Sequence, residues 1–126
     1  MAKPEREFHQ PAAPWSAVAG PVRGRWAQTL AEDPATGAYT GLLRYDPGVD
    51  TSPSGTQVHD YWEEVYLLEG DLHDLRLGET FTAGMYACRP PGMAHGPWRT
   101  ERGVLMLEIR YPATEARAAS ALPLDA

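Results

Sequence analysis

Cysteine and lysine are nearly absent from this sequence, and each absence excludes a class of chemistry. Cys88 is the only cysteine, so the chain can form no intrachain disulfide and no zinc cluster built on cysteines. Lys3 is the only lysine and lies near the start of the chain. A Schiff-base mechanism in the core, which requires a buried lysine, is therefore excluded as a working hypothesis.

Long apolar runs and clusters of positive charge are missing as well. No stretch approaches the ~20 apolar residues that span a bilayer, and the start MAKPEREFHQ lacks the apolar segment of a signal peptide. We therefore expect a cytoplasmic protein without a membrane partner. The net charge is -6 and Lys and Arg do not cluster, which argues against a nucleic-acid partner. A length of 126 residues fits one domain.

Proline and glycine are abundant, with 12 of each, and they divide the chain into short segments. Turn sequences such as Asp46-Pro47-Gly48, Gly70-Asp71 and Pro90-Pro91-Gly92 recur between these segments. Closely spaced strands of this kind predict an all-β sandwich or barrel. The predicted strands are Arg25 to Leu30, Tyr39 to Tyr45, Thr56 to Asp60, Glu63 to Glu69, Leu72 to Leu77, Met85 to Arg89 and Val104 to Tyr111.

The barrel is predicted to lie between two less regular ends. Residues 1–24 are rich in proline and predict an arm, anchored by Phe8 or Trp15. Residues 25–112 form the predicted barrel. Residues 113–126 predict a short helix or a disordered tail. In the last strand, we assign one alternating apolar set to the core: Leu105, Leu107, Ile109 and Tyr111.

Two histidines and one glutamate form the candidate metal site. The pattern Q-x-H-x3-E contains His59 and Glu63, and the later segment P-P-G-M-A-H ends at His95. Alternation along an unbroken strand would point Gln57, His59 and Glu63 to one side. Two imidazoles and one carboxylate hold a divalent metal while several coordination positions stay open. Open positions suggest catalysis or ligand capture.

At both motifs the sequence resembles the cupin family. The cupin motif G-x5-P-x-G-x2-H is matched by Gly84, Pro90, Gly92 and His95, and the other motif by His59, Glu63 and Gly70. The resemblance covers about residues 39–111 and implies a single RmlC-like jelly-roll barrel. It also implies a divalent metal ion, namely Fe, Zn, Mn or Ni, at the candidate site.

Three positions depart from the cupin pattern. Gln57 stands where the first histidine is usual, Thr51 replaces a glycine, and Arg99 replaces an asparagine. Gln57 is either a weak fourth metal ligand or a hydrogen-bonding residue that orients the other ligands.

Several neighbours of the motifs are candidates for the pocket wall. Tyr61 shares strand parity with His59 and Glu63, so its phenol is a candidate acid or substrate contact. Arg89 is the second candidate catalytic residue, because a guanidinium binds carboxylate or enolate oxygens. Either Trp62 or Trp98 closes the pocket, or both serve ordinary sheet packing.

Other polar residues are expected to lie outside the site. We expect Arg99 and Glu64 to be surface charges, and His9 and His73 to be surface histidines. Cys88 is expected to be a small buried apolar residue.

These residues lead to three hypotheses for function. The first is a metal-dependent cupin enzyme for a small oxygenated organic substrate, most plausibly a dioxygenase or a C–C bond-cleaving enzyme. The second is a metal-dependent sensor or ligand-binding module, because two segments of the chain also resemble the cupin domain of zinc-binding anti-sigma factors. The third is an isomerase or cyclase. The resemblance also implies a homodimer, with the Pro-rich arm lying across the partner's sheet.

Overall fold

The computed structural model describes residues 3–113, which form eight antiparallel strands joined by turns. A turn of 3-10 helix, Ser52–Ser54, lies in the connection before the fourth strand. Within the described residues no helix is long and apolar enough to cross a membrane. The predicted helix or disorder of the tail falls outside the described residues. The strands are β1 (Ser16–Ala17), β2 (Arg25–Glu32), β3 (Tyr39–Tyr45), β4 (Tyr61–Asp74), β5 (Glu79–Thr82), β6 (Tyr86–Arg89), β7 (Trp98–Arg99) and β8 (Val104–Pro112).

The long strand β4 organises the barrel because it belongs to two sheets. Its first part pairs with β8 on one side and β6 on the other, and β8 continues through β3 and β2 to β1. Its last part, from Asp71 to Asp74, pairs with β5 and also with β7. The all-β prediction is confirmed. The sequence did not predict the short strands β1, β5 and β7.

The predicted turn at Gly70-Asp71 is wrong, because β4 continues through it. The register with β8 shifts between Leu67 and Glu69, which marks a bulge, and Gly70 follows with φ 89°. A side chain at Gly70 would overlap with the carbonyl oxygen of Gly103. Glycine therefore marks a close approach of two backbones, not the end of a strand.

The core assignment of β8 is also wrong, by one residue. Val104, Met106 and Glu108 are 4–6% exposed, whereas Leu105 and its alternating partners are only half-buried. Pairing with β4 places Met106 opposite Leu67, whose side chain is in the core. A shift of one residue exchanges the two faces of a strand. Because Glu108 is charged, the sequence pattern assigns its face of β8 to the outside, although Glu108 is buried.

Two further predictions are wrong for local reasons. Residues 56–60 form no strand, and within this segment only Gln57 makes a bridge, to His95. Cys88 is exposed because Ala87 and Arg89, its neighbours in β6, line the interior and so point Cys88 outward.

The arm lies against its own sheet. Strand β1 pairs with β2, and the Gln28 amide donates a hydrogen bond to the carbonyl of Ala13 at 2.9 Å. The guanidinium of Arg44 stacks over the indole of Trp15 at 4.9 Å. Trp15 is therefore an anchor of the arm, whereas Phe8 is fully exposed.

Replacing Gly70 with alanine should destabilise the protein strongly. We expect Gly70→Ala to lower the free energy of unfolding by about 2 kcal/mol more than Gly37→Ala, measured by chemical denaturation. Gly37 is the matched control because it also has a positive φ, of 81°, but has nothing within 4 Å of an added side chain. Equal losses in the two variants would mean that backbone strain alone matters.

The homodimer, with the Pro-rich arm lying across the partner's sheet, remains a prediction. The half-exposed outer face carries a row of side chains across neighbouring strands, Leu42, Leu107, Tyr66 and Tyr86. We expect a dimer at micromolar concentration in light scattering, and a monomer for Leu107→Glu, because pairing would bury the new charge. Leu77→Glu, in the exposed turn before β5, should stay dimeric. A monomeric unmodified chain would contradict the prediction.

Candidate metal centre

Three different backbone anchors bring the candidate ligands together. Glu63 lies on β4, between β6 and β8. His95 is held against Gln57 by two backbone hydrogen bonds, of 2.7 and 3.0 Å. The carbonyl of His59 accepts a hydrogen bond of 2.8 Å from the amide of Gly92. The two sequence motifs therefore meet at one end of the barrel.

The two imidazoles point their Nε2 atoms at each other. The Nε2 atoms of His59 and His95 lie 3.1 Å apart. When two nitrogens both bind the same metal ion at ~2.0–2.1 Å, they lie roughly 3 Å from each other. The carboxylate oxygens of Glu63 lie 3.8 and 3.9 Å from the same nitrogens, so a small movement of this side chain completes a three-ligand set. The residues present thus fit a divalent metal.

The protonation of His95 suits a metal ligand. Its Nδ1 lies 3.2 Å from the carbonyl oxygen of Met93, which can only accept a hydrogen bond. The proton is therefore on Nδ1, and Nε2 keeps its lone pair. Burial lowers the pKa of His95 below its ordinary value, and the nearby charge of Arg89 acts in the same direction. His95 is thus held in the neutral form that coordinates metals.

Arg89 contacts the candidate ligand Glu63 directly. Its Nη1 donates a hydrogen bond of 2.7 Å to Glu63 Oε1, and the side chain of Glu63 is only 5% exposed. On the other side, Arg110 Nε lies 3.8 Å from Glu63 Oε2. Two cations therefore flank the buried carboxylate beside the imidazoles and offset the cost of its burial.

Arg110 also pairs with a second buried acid, Glu108, at 2.6 Å. Burial raises the pKa of Glu108 above its ordinary value, and the charge of Arg110 opposes this shift. The sequence analysis missed both residues because it assigned their face of β8 to the outside. Their strand parity with Glu63 across the β4–β8 pair is the signal that would have found them.

The other wall candidates fall on different sides of the sheet. Tyr61 stacks on His59, with ring centroids 4.6 Å apart and planes 9° apart, so it supports the imidazole. Trp98 lies 5.4 Å from the His95 ring and lines the interior, whereas Trp62 stacks on Tyr111 on the outer face. Of the two indoles, Trp98 is thus the one at the site.

Gln57 lies beside the site with its amide nitrogen already bound. This nitrogen donates a hydrogen bond of 2.7 Å to the carbonyl of Ser54, which leaves the amide oxygen as the free group. Both roles considered for Gln57, weak ligand and orienting residue, are compatible with this contact.

The remaining polar residues lie away from the three ligands. Arg99 is exposed and 3.6 Å from Glu101, and His9 is exposed in the arm. His73 is half-buried, with Nδ1 2.7 Å from the hydroxyl of Thr80. Glu64 points outward as expected, but it is half-buried and accepts a hydrogen bond from the phenol of Tyr86.

A cavity of about 630 Å³ extends from the candidate ligands into the barrel. Gln57, His59, Glu63, His95 and Arg89 contribute to its wall at one end. Apolar side chains contribute further in, namely Leu43, Val65, Leu67, Leu72, Phe81 and Met106. A ligand-sized space thus adjoins the candidate metal centre.

A family model for the ChrR cupin-like domain matches residues 5–113 of this sequence. The chain belongs to this family. The resemblance to cupins seen in the two motifs is therefore confirmed. No curated protein sequence matches this cupin significantly.

Solved cupin structures are similar to this cupin in fold. An RmlC-like cupin from Shewanella frigidimarina has a TM-score of 0.68 and 21% identity, covering 93% of this chain and 99% of that one. The polyketide cyclase RemF from Streptomyces resistomycificus has a TM-score of 0.67 and 20% identity, covering 85% and 79%. An acetylacetone dioxygenase from Acinetobacter johnsonii has a TM-score of 0.61 and 18% identity, covering 86% and 78%. The predicted RmlC-like jelly-roll barrel is confirmed, and at these identities the likeness concerns the fold alone.

Replacing His95 should remove most of the bound metal and leave the barrel folded. We expect His95→Ala to retain less than a tenth of the metal bound by the unmodified protein, measured by elemental analysis after dialysis. A site with one ligand fewer binds far more weakly. His9→Ala is the matched control, because His9 is exposed in the arm, and it should keep full occupancy. Full occupancy in His95→Ala would exclude the assigned ligand set.

Proposed function

We propose that this cupin is a metal-dependent enzyme acting on a small oxygenated organic molecule, as a dioxygenase or a C–C bond-cleaving enzyme. The observation that carries the proposal is the 3.1 Å approach of the two Nε2 atoms of His59 and His95, beside the buried carboxylate of Glu63, at the wall of a large cavity. A structural site would be closed by a fourth protein ligand, whereas this one opens onto a space for substrate.

A divalent metal held by His59, Glu63 and His95 would polarise a chelating oxygen pair of the substrate and, if it is iron, would support reaction with O2. Gln57 is proposed to tune the metal through its free amide oxygen. The metal's identity is proposed only as Fe, Zn, Mn or Ni, because nitrogen and oxygen ligands accept all of these.

The charges of the protein groups favour an anionic substrate form. The two buried acids, Glu63 and Glu108, are matched by two arginines, Arg89 and Arg110. A divalent metal then leaves the site with an excess of positive charge. An enolate or another deprotonated oxygen pair would offset this excess, which supports β-diketones, catechols and hydroxy-ketones as substrate classes.

Arg89 is the proposed positioning group for the substrate, and Tyr61, which does not line the cavity, is proposed to act through His59. Arg89 lines the cavity and holds Glu63, so it fixes the ligand's orientation and presents its remaining N–H groups to an oxygen of the substrate. Tyr61 fixes the plane of His59 by stacking. Burial raises the pKa of Tyr61, which makes its phenol a weaker acid, so we propose it as a hydrogen-bond donor.

A binding module is the second candidate, and family membership favours it. The match to the ChrR cupin-like domain agrees with the resemblance to anti-sigma factors, and such a module needs the metal and the cavity but makes no product. An isomerase or cyclase is the third candidate, and it would form product without O2.

Turnover with and without O2 separates these candidates. We expect the metal-loaded protein to consume O2 with a β-diketone or phenolic substrate, measured with an oxygen electrode and by product analysis. Arg89→Met removes the hydrogen bond that orients Glu63 and the donor proposed for the substrate, so we expect a loss of at least tenfold in kcat/KM per bound metal, with the metal content measured on the same sample. Arg99→Met, which removes an exposed arginine, should stay within about twofold.

The other outcomes each favour a competing function. Product formed under anaerobic conditions would favour the isomerase or cyclase. A fully metallated protein that binds these ligands without converting them would favour the binding module.

A further inference from the structure

The cavity has two ends of different chemical character, and the sheet register defines them. At the first end, one row of paired residues crosses the inner face of the large sheet: Tyr39, Arg110, Glu63 and Arg89. All four side chains line the cavity, and all carry polar or charged groups. This polar row includes the candidate ligand Glu63.

Four residues further along β3, β8 and β4, the inner face is apolar. The row there consists of Leu43, Met106 and Leu67 and continues onto β2 at Ala27, and these four side chains also line the cavity. Strands rise by about 3.3 Å per residue, so the apolar row lies roughly 13 Å from the polar row. Leu72 and Phe81 add further apolar wall.

We infer that the natural ligand is a two-part molecule, with an oxygen-bearing anionic or chelating head and an aromatic or similarly rigid apolar body about 10 Å long. The head lies at the polar row, and the body extends to the apolar row. The assignment of the head rests on the proposed metal-dependent function, whereas the assignment of the body rests on the apolar row alone.

The size of the cavity supports this ligand class over the smallest diketones. Its volume of about 630 Å³ is that of sites for drug-sized ligands. Acetylacetone would occupy the polar row and leave the apolar row in contact with water. A biphenyl group attached to the same head is about 10 Å long, and it would remove apolar surface of both ligand and wall from water, which is favourable in proportion to the area buried.

A pair of diketones with the same head tests the inference. The dissociation constants of acetylacetone and 1-(biphenyl-4-yl)butane-1,3-dione, the biphenyl diketone, are measured by calorimetry, using the zinc-loaded full chain so that no oxidation occurs. We expect the biphenyl diketone to bind at least about tenfold more tightly. Equal dissociation constants, or no binding of the biphenyl diketone, would overturn the inference.

Two neighbouring leucines of β3 provide a matched pair of variants. Leu43 lines the cavity, whereas Leu42 lies on the outer face, opposite Leu107. Leu43→Trp should fill the apolar row and abolish the advantage of the biphenyl diketone while changing the dissociation constant of acetylacetone less than about twofold. Leu42→Trp should retain the advantage. If both variants reduce it equally, the apolar row is not the site of the biphenyl group.

Folding and metal binding are controlled separately. Thermal unfolding verifies each variant, and Ala27→Leu replaces Leu43→Trp if the latter does not fold, since Ala27 lies in the same row. The measurements of both diketones are repeated with metal-free protein. If zinc has no effect on either ligand, the proposed metal-dependent function fails, but a response to Leu43→Trp and not to Leu42→Trp still supports the inferred apolar body.

Discussion

Burial of the Glu63 carboxylate is the constraint on which the site depends. An ionised group removed from water must be paired, or the cost of its desolvation is not offset. Arg89 on β6 and Arg110 on β8 supply this pairing from the two strands that flank β4. A shift of either strand by one residue would point its arginine outside the barrel. Pairing of the Glu63 carboxylate with both arginines therefore requires one particular register of β6, β4 and β8.

The same pairing explains which predictions from the sequence failed. The sequence of β8 shows two alternating faces, and hydrophobicity assigns the more apolar one to the core. That face contains Leu105, Leu107 and Ile109, whereas the other contains Glu108 and Arg110. The choice depends on partners far away in sequence, Glu63 and Val65, which a local pattern does not contain. Cys88 was misplaced for the same reason, because Arg89 fixes the parity of β6.

Features set by short-range chemistry were predictable. Turn residues predicted the bounds of β3 and most of β8, and motif spacing brought together His59, Glu63 and His95. Gly70 shows the limit of this reasoning. Its positive φ is compatible with a turn and with a bulge, and the decision depends on the backbone of Gly103, which lies against it only after folding. The role of Gln57 likewise depends on Ser54, which holds its amide nitrogen.

The anchors of the two histidines show why the site can exist before a metal arrives. His59 and His95 are fixed by backbone hydrogen bonds to Gly92 and Gln57, and their Nε2 atoms already lie at the separation that two ligands of one metal require. Glu63 is the component that must still move, and its two arginine partners, at 2.7 and 3.8 Å, offset the cost of burying its carboxylate. Metal binding would therefore restrict few additional side-chain torsions, so the loss of conformational entropy on binding would be small. The positive charges of the two arginines, however, oppose the binding of a cation at the same carboxylate. If the proposed function holds, a deprotonated substrate would relieve that opposition, and occupancy of the cavity would then favour retention of the metal.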